Sequence, residues 1–132
     1  MTPAQKKTLK EHIVGLAKFF TKEGVDIKPY PKFVFKEDND SNDITAPTGH
    51  YSPETNEIPI YCNGRHPKDA LNTASHELWH KHQDVKGKLD PKKLGEVSTN
   101  YTTGTDYLKE IEEDAYRMGN VMRRKYTESL EK

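Results

Sequence analysis

Several features that many proteins rely on are absent from this sequence. Cys62 is the only cysteine in 132 residues, so an internal disulfide is excluded, which suits a reducing compartment such as the cytoplasm. No apolar run approaches the roughly 20 residues that cross a bilayer, and no basic N-terminal stretch leads into an apolar one. We therefore expect neither a membrane span nor a signal peptide. Acidic and basic residues number 21 each, so no net field favours nucleic acid or an anionic membrane.

Apolar residues are also scarce, but they recur at regular spacings. They make up 32% of the chain and charged residues another 32%, against roughly 45–50% and 25% in an average domain. A length of 132 residues fits one compact unit, so residues 1–132 are predicted to form a single domain.

Three segments show the periodicity of amphipathic helices. The first covers residues 3–22, between the capping residue Thr2 and the helix-ending Gly24. The second runs from about residue 67 or 68 to 85, and the third from about 106 to 129. The third helix is predicted to bury a stripe formed by Leu108, Ile111, Ala115, Met118, Met122 and Tyr126.

Short extended segments separate the first two helices. Phe33-Val34-Phe35 is predicted as one strand, and residues 49–52 and 57–61 as two more, joined by a turn. Pro59 has no amide hydrogen to donate, which places the strand 57–61 at the edge of the sheet. The predicted fold class is α+β, with three helices on a small, mostly antiparallel three-stranded sheet.

Two polar segments are predicted as loops. Residues 37–47 are acidic, but they lack the glycine and the final glutamate of an EF-hand at the required offsets, so calcium is not expected. Residues 87–105 carry no clear periodicity.

The second helix contains the sequence His76-Glu77-Leu78-Trp79-His80. The two histidines are four residues apart, so both imidazoles project from one face and can bind one metal ion. Glu77 points elsewhere around the helix and can act on water without competing as a ligand. In such a site zinc polarises the scissile carbonyl and lowers the pKa of its water toward about 7, while the glutamate transfers the proton to the leaving amine. A chance pair of surface histidines is the alternative, which the small and apolar residues around this helix disfavour.

Zinc needs a third protein ligand, and residues 110–116 of the last helix offer three glutamates. Helical geometry places Glu112 beside the buried stripe, whereas Glu110 and Glu113 turn toward solvent. The predicted Zn²⁺ site therefore consists of His76, His80 and Glu112, with Glu113 as the alternative third ligand.

Small residues support this choice. Ala115 and Gly119 lie on the same side of the helix as Glu112, where they would let it approach the histidine helix closely. Glycine inside a helix costs about 1 kcal/mol relative to alanine, so a packing reason is expected at Gly119.

With these two segments the chain resembles the gluzincin metallopeptidases, above all the minigluzincins and the ImmA/IrrE-type peptidases. The resemblance rests on the HExxH sequence at 76–80 and on Glu112-Glu113-Asp114-Ala115, which is similar to the E-x-x-A segment of those families. It implies a minimal zincin fold in which Glu112 is a zinc ligand. It also implies that substrate lies along an edge strand, which here is formed by Ile58, Pro59, Ile60 and Tyr61. Many relatives have Asp or Asn after the alanine, often orienting a zinc histidine, whereas this chain has Tyr116.

Motif and resemblance together predict a zinc-dependent peptidase that hydrolyses a protein or peptide with Glu77 as general base. A second hypothesis is a zinc-binding regulatory protein of phage or mobile-element type with little or no proteolytic activity. The presence of Glu77 favours hydrolysis, because a protein that only binds zinc needs no general base. Nucleic acid is not favoured as a partner, because the basic runs near both termini are typical of solvated helix faces.

Other residues leave alternatives open. Cys62 stands before the zinc helix, where peptide deformylase has a cysteine ligand, although the other segments of that enzyme are absent. The candidates for stabilising an oxyanion are Tyr51, Tyr101, Tyr107 and Tyr116, among which the sequence does not choose.

Overall fold

The structure, a computed structural model, describes residues 1–36, 49–62, 65–89 and 101–131, with residues 101–106 described by their backbone alone. The predicted loop 37–47 lies outside these ranges. The described elements are, in chain order, α1 (Pro3–Lys22), β1 (Lys32–Lys36), β2 (Glu57–Tyr61), α2 (Pro67–Val85) and α3 (Tyr101–Leu130). They confirm the α+β class. Among the described elements, no helix is both long enough and apolar enough to cross a bilayer.

Local sequence signals determine both ends of α1. The Thr2 hydroxyl accepts the amide hydrogen of Gln5, and the Gln5 side chain accepts that of Thr2, which forms a capping box. Gly24 follows the helix with φ +84°, a left-handed conformation that glycine adopts at little cost. The buried face of α1 packs against α2 and consists of Leu9, Ile13, Leu16, Ala17 and Phe20.

The sheet differs from the prediction. β1 and β2 pair in parallel, with Val34 opposite Pro59, and they make up a two-stranded sheet in the described part of the chain. Residues 49–52 form only isolated antiparallel bridges to β2, at Ile60 and Glu57. The predicted mostly antiparallel, three-stranded sheet is therefore wrong. Side-chain pattern identified the extended segments, but it carries no information on the direction in which they pair.

The last helix is longer than predicted, because it begins at Tyr101 rather than near Asp106. Its Thr- and Gly-rich first turn has low intrinsic helix propensity, so the sequence pattern did not indicate it. Leu108 was expected in the buried stripe but is 39% exposed. Leu108 lies near the residues that follow α2, because the neighbouring Tyr107 donates a hydrogen bond to the carbonyl of Lys88. The stripe is buried at Ile111, Ala115, Met122 and Tyr126.

α2 and α3 approach each other most closely at Gly119. A Cβ atom added to Gly119 would lie 3.0 Å from Cα of His76, which is a tight contact with backbone that would have to give way slightly. The hydroxyl of Ser75 donates a hydrogen bond of 2.6 Å to the carbonyl of Gly119. The predicted packing role of this glycine is confirmed.

Candidate metal centre

Three ligand-type side chains converge where α2 meets α3. His76 and His80 come from one face of α2, and Glu112 comes from α3. One ligand atom from each lies within 4.8 Å of the others. One carboxylate oxygen of Glu112 is 3.4 Å from Nε2 of His76, and the other is 3.2 Å from Nε2 of His80. The structure thus brings the three predicted ligands together.

The three side chains are close enough to share one metal ion. The carboxylate-to-imidazole distances of 3.4 and 3.2 Å involve different oxygens of Glu112, so they are two separate contacts rather than edges of one coordination polyhedron. The donor set of two imidazoles and one carboxylate is also one that zinc uses in hydrolytic sites, where a fourth position stays open.

The hydrogen bonds behind His80 determine which ring nitrogen faces Glu112. The amide nitrogen of Gln83 lies 3.0 Å from two acceptors, the carbonyl of Ile111 and Oδ2 of Asp114. Its amide oxygen is therefore the group that meets Nδ1 of His80 at 2.7 Å. Because an amide oxygen only accepts hydrogen bonds, Nδ1 carries the proton. A neutral His80 then directs the lone pair of Nε2 toward the carboxylate of Glu112.

A lone pair and a carboxylate oxygen 3.2 Å apart repel each other unless positive charge lies between them or the imidazole is protonated. Burial opposes protonation of His80, but the hydrogen bond and charge of Glu112, the charge of Glu77 and the hydrogen bond with Gln83 together outweigh it, so the pKa of His80 is raised. Hydrogen bonds from His76 and then His80 hold the pKa of Glu112 well below its usual range. Both directions indicate a site that attracts a cation.

Glu77 lies beside this cluster without belonging to it. Only 7% of the residue is exposed, and its carboxylate is 3.9 Å from Nε2 of His76. Burial raises the pKa of Glu77, although His80 and His76 act in the opposite direction. The backbone of Tyr51 donates a hydrogen bond to the carboxylate. Glu77 therefore stands between the ligand cluster and the extended segment 49–52.

The strand predicted to contact substrate is enclosed on both sides. Ile58, Pro59 and Ile60 are buried, and Tyr61 is half-buried. β1 lies along one edge of β2, and residues 49–52 are bridged to the other. The substrate-binding role of these four residues stays a prediction.

The other sequence candidates make contacts elsewhere. The hydroxyl of Tyr51 donates a 2.6 Å hydrogen bond to Asp84, and burial followed by this bond raises the pKa of Tyr51. Tyr107 donates to a backbone carbonyl beyond α2. Cys62 is buried in the hydrophobic core. The side chain of Tyr101 lies outside the described part of the chain.

The two histidines differ in what lies behind them. Nδ1 of His76 is buried and has no hydrogen-bond partner among the described residues. The ring of Tyr116 packs against it, with 4.3 Å between the ring centroids. Tyr116 is the residue at which the resemblance leads us to expect Asp or Asn.

Gln83 and Asp114 are site residues that sequence reasoning missed. Gln83 lies three residues after His80, on the same face of α2, which is the one signal that the sequence offered. Its contacts with α3 depend on how the two helices pack, and the helical pattern alone does not specify that.

The chain gives no significant match to protein-family models, to curated proteins or to solved structures. The likeness to gluzincins therefore rests on the two sequence segments and on the convergence of His76, His80 and Glu112.

Proposed function

We propose that this protein is a zinc-dependent peptidase in which His76, His80 and Glu112 hold the metal and Glu77 is the general base. The observation that carries the proposal is a buried carboxylate 3.9 Å from one proposed ligand, outside a three-residue set that could hold a metal ion. A protein that only binds zinc needs the ligand set. It gains nothing from burying Glu77 beside it, because burial of an unused carboxylate is costly.

A zinc ion bound there would polarise a carbonyl group and lower the pKa of a water molecule toward about 7. Glu77 is placed to remove a proton from the attacking water and to return it to the leaving amine. Its raised pKa brings it closer to neutral pH, where a general base both accepts and releases a proton efficiently.

The segment 49–52 offers an edge for an extended peptide. The amides of His50 and Ser52 donate to carbonyls of β2, so the backbone groups of Tyr51 between them face the other way, toward Glu77. We place the substrate along that outer edge instead of along residues 58–61, so that it would add as a further strand, with β2 supporting the segment from behind. No described strand pairs with this edge.

Glu77→Gln tests the catalytic part of the proposal. The amide keeps the shape of the side chain but cannot take a proton, so zinc content and fold should stay unchanged while hydrolysis falls at least about 100-fold. Elemental analysis measures the zinc, and mass spectrometry of a digested peptide library measures hydrolysis. His76→Ala is the matched control for the metal, and it should lose both zinc binding and hydrolysis.

Three results would change this conclusion. Activity of Glu77→Gln within about tenfold of wild type would assign the base to another group. Zinc-loaded wild type that cleaves no peptide of the library would favour the regulatory, zinc-binding alternative. Purified protein that binds no zinc would remove both functions.

A further inference from the structure

Behind the proposed ligands, four side chains form one continuous series of hydrogen bonds. Nδ1 of His80 contacts the amide oxygen of Gln83 at 2.7 Å. The amide nitrogen of Gln83 donates to Oδ2 of Asp114 at 3.0 Å, and the indole nitrogen of Trp79 donates to the same oxygen at 2.7 Å. Gln83 is 1% exposed, so water does not compete for its contacts.

Gln83 uses every polar atom of its side chain, because its amide nitrogen also donates to the carbonyl of Ile111 at 3.0 Å. Gln83 and His80 belong to α2, whereas Ile111 and Asp114 belong to α3 and flank Glu112 along the chain. One side chain therefore joins a proposed ligand of one helix to the residues on either side of the ligand supplied by the other.

We infer that Gln83 is a positioning residue of the metal centre. It keeps the proton of His80 on Nδ1 and orients Nε2 toward the metal position, while its bonds to Ile111 and Asp114 contribute to the stability of the contact between α2 and α3. The inference rests on the proposed zinc site. His76 lacks an equivalent partner on Nδ1 in the described part of the chain, so orientation by hydrogen bonding falls on His80.

Two substitutions separate positioning from packing. Gln83→Met keeps the length of the side chain and removes the acceptor for His80. Gln83→Glu keeps an acceptor but has no hydrogens for Ile111 and Asp114, so it should lose stability and retain the orientation of His80. Trp79→Phe is the matched control, because it breaks the far end of the series and leaves the contact between His80 and Gln83 in place.

Zinc affinity, measured by competition with a chromophoric chelator, is the first readout. It should fall about 10–100-fold in Gln83→Met and stay within about threefold of wild type in Gln83→Glu and Trp79→Phe, since outer partners of metal ligands have effects of that size. Thermal denaturation of the metal-free proteins measures stability separately. Stability should fall in all three variants, whereas zinc affinity should fall only in Gln83→Met.

Histidine NMR supplies a readout independent of affinity. In zinc-loaded wild type labelled with ¹⁵N-histidine, the Nδ1 hydrogen of His80 should exchange slowly with water because Gln83 accepts it. It should exchange rapidly in Gln83→Met and slowly again in Gln83→Glu. The Nδ1 hydrogen of His76, which has no described partner, provides the internal comparison within each sample.

The failures of the two proposals are distinguishable. Wild type without zinc overturns the proposed site. Wild-type zinc affinity in Gln83→Met overturns the positioning role alone, and so does an equal loss of affinity in Gln83→Met, Gln83→Glu and Trp79→Phe. Rapid exchange at His80 in wild type overturns it even if Gln83→Met does not fold.

Discussion

Glu112 and Glu113 are neighbouring carboxylates with very different surroundings. Glu112 reaches both His76 and His80 across the helix interface. The side chain of Glu113 is 68% exposed and has only an ion pair with Lys109 at 4.0 Å, one turn earlier on the same helix. Exposed pairs of that kind contribute about 0.3–0.5 kcal/mol.

Replacing each glutamate with alanine should therefore give opposite results. Glu112→Ala should lose tight zinc binding, and with it the stabilisation that bound zinc confers, about 4 kcal/mol at a free concentration 1,000 times Kd. Glu113→Ala should change the free energy of unfolding by no more than about 0.5 kcal/mol and should bind zinc normally. Zinc titration and thermal denaturation with and without zinc measure both. Loss of zinc binding in Glu113→Ala would show that the third ligand is Glu113 and not Glu112.

The contrast between Glu112 and Gln83 shows what the sequence reveals about single residues. Glu112 was found because helical periodicity orders the residues around α3, and the buried neighbours Ile111 and Ala115 establish which side faces inward. Gln83 makes its contacts with a helix that lies about 30 residues away in sequence. The periodicity of residues within α2 does not predict these contacts.

At the scale of elements, the contact at Gly119 determines how closely α3 lies against α2. Beyond the 3.0 Å separation from Cα of His76, an added Cβ would lie 3.1 Å from the backbone nitrogen of the same residue. Backbone atoms inside a helix cannot turn aside as a flexible side chain can. We therefore expect a side chain at Gly119 to shift the two helices slightly apart.

Gly119→Ala should destabilise the protein and weaken zinc binding together. Overpacking costs about 1–3 kcal/mol, which exceeds the gain of about 1 kcal/mol in helix propensity, and displacement of α3 carries Glu112 away from the histidines. Urea denaturation and zinc titration measure the two effects. Asn120→Ala is the control, because this neighbouring residue is exposed and alanine is the better helix former. A Gly119→Ala protein as stable as Asn120→Ala would contradict the close approach.

Helices and strands differed in how well the sequence predicted them. α1 and α2 have the predicted bounds because caps, proline, glycine and a buried stripe are all local signals. The pairing of β1 with β2 is a contact between distant segments, and either direction was compatible with the pattern. The start of α3 was missed because its Thr- and Gly-rich first turn carries weak local signals for a helix.

At the scale of the whole molecule, two tyrosines link elements that are distant in sequence. Tyr126 of α3 is 6% exposed and contacts Nδ1 of His12 on α1 at 3.1 Å. Tyr51 links the segment 49–52 to Asp84 on α2. Burial raises the pKa of Tyr126, and burial followed by the bond to Asp84 raises that of Tyr51.

These shifts predict a loss of stability in alkali. A tyrosine whose pKa is higher in the folded than in the unfolded protein contributes stability that is complete below the unfolded value, about 10, and is lost as the pH rises beyond it. The free energy of unfolding should therefore decline above about pH 10. Urea denaturation at pH values from about 8 to about 11, a range that includes the unfolded tyrosine pKa of about 10, measures the decline. The double variant Tyr51→Phe, Tyr126→Phe should show a smaller slope, and a wild-type profile without any decline would contradict the prediction.

The two helices are fastened to each other on both sides of the ligands, by Ser75 and Gly119 at one end and by Gln83 with Ile111 and Asp114 at the other. These contacts hold the two helices together through residues other than the ligands. A site whose ligands are positioned in this way can discriminate between ions by geometry, whereas raw affinity follows the general series in which copper exceeds zinc and zinc exceeds manganese. Geometry and metal supply together would therefore decide the occupant in a living cell, and its replacement would require no unfolding.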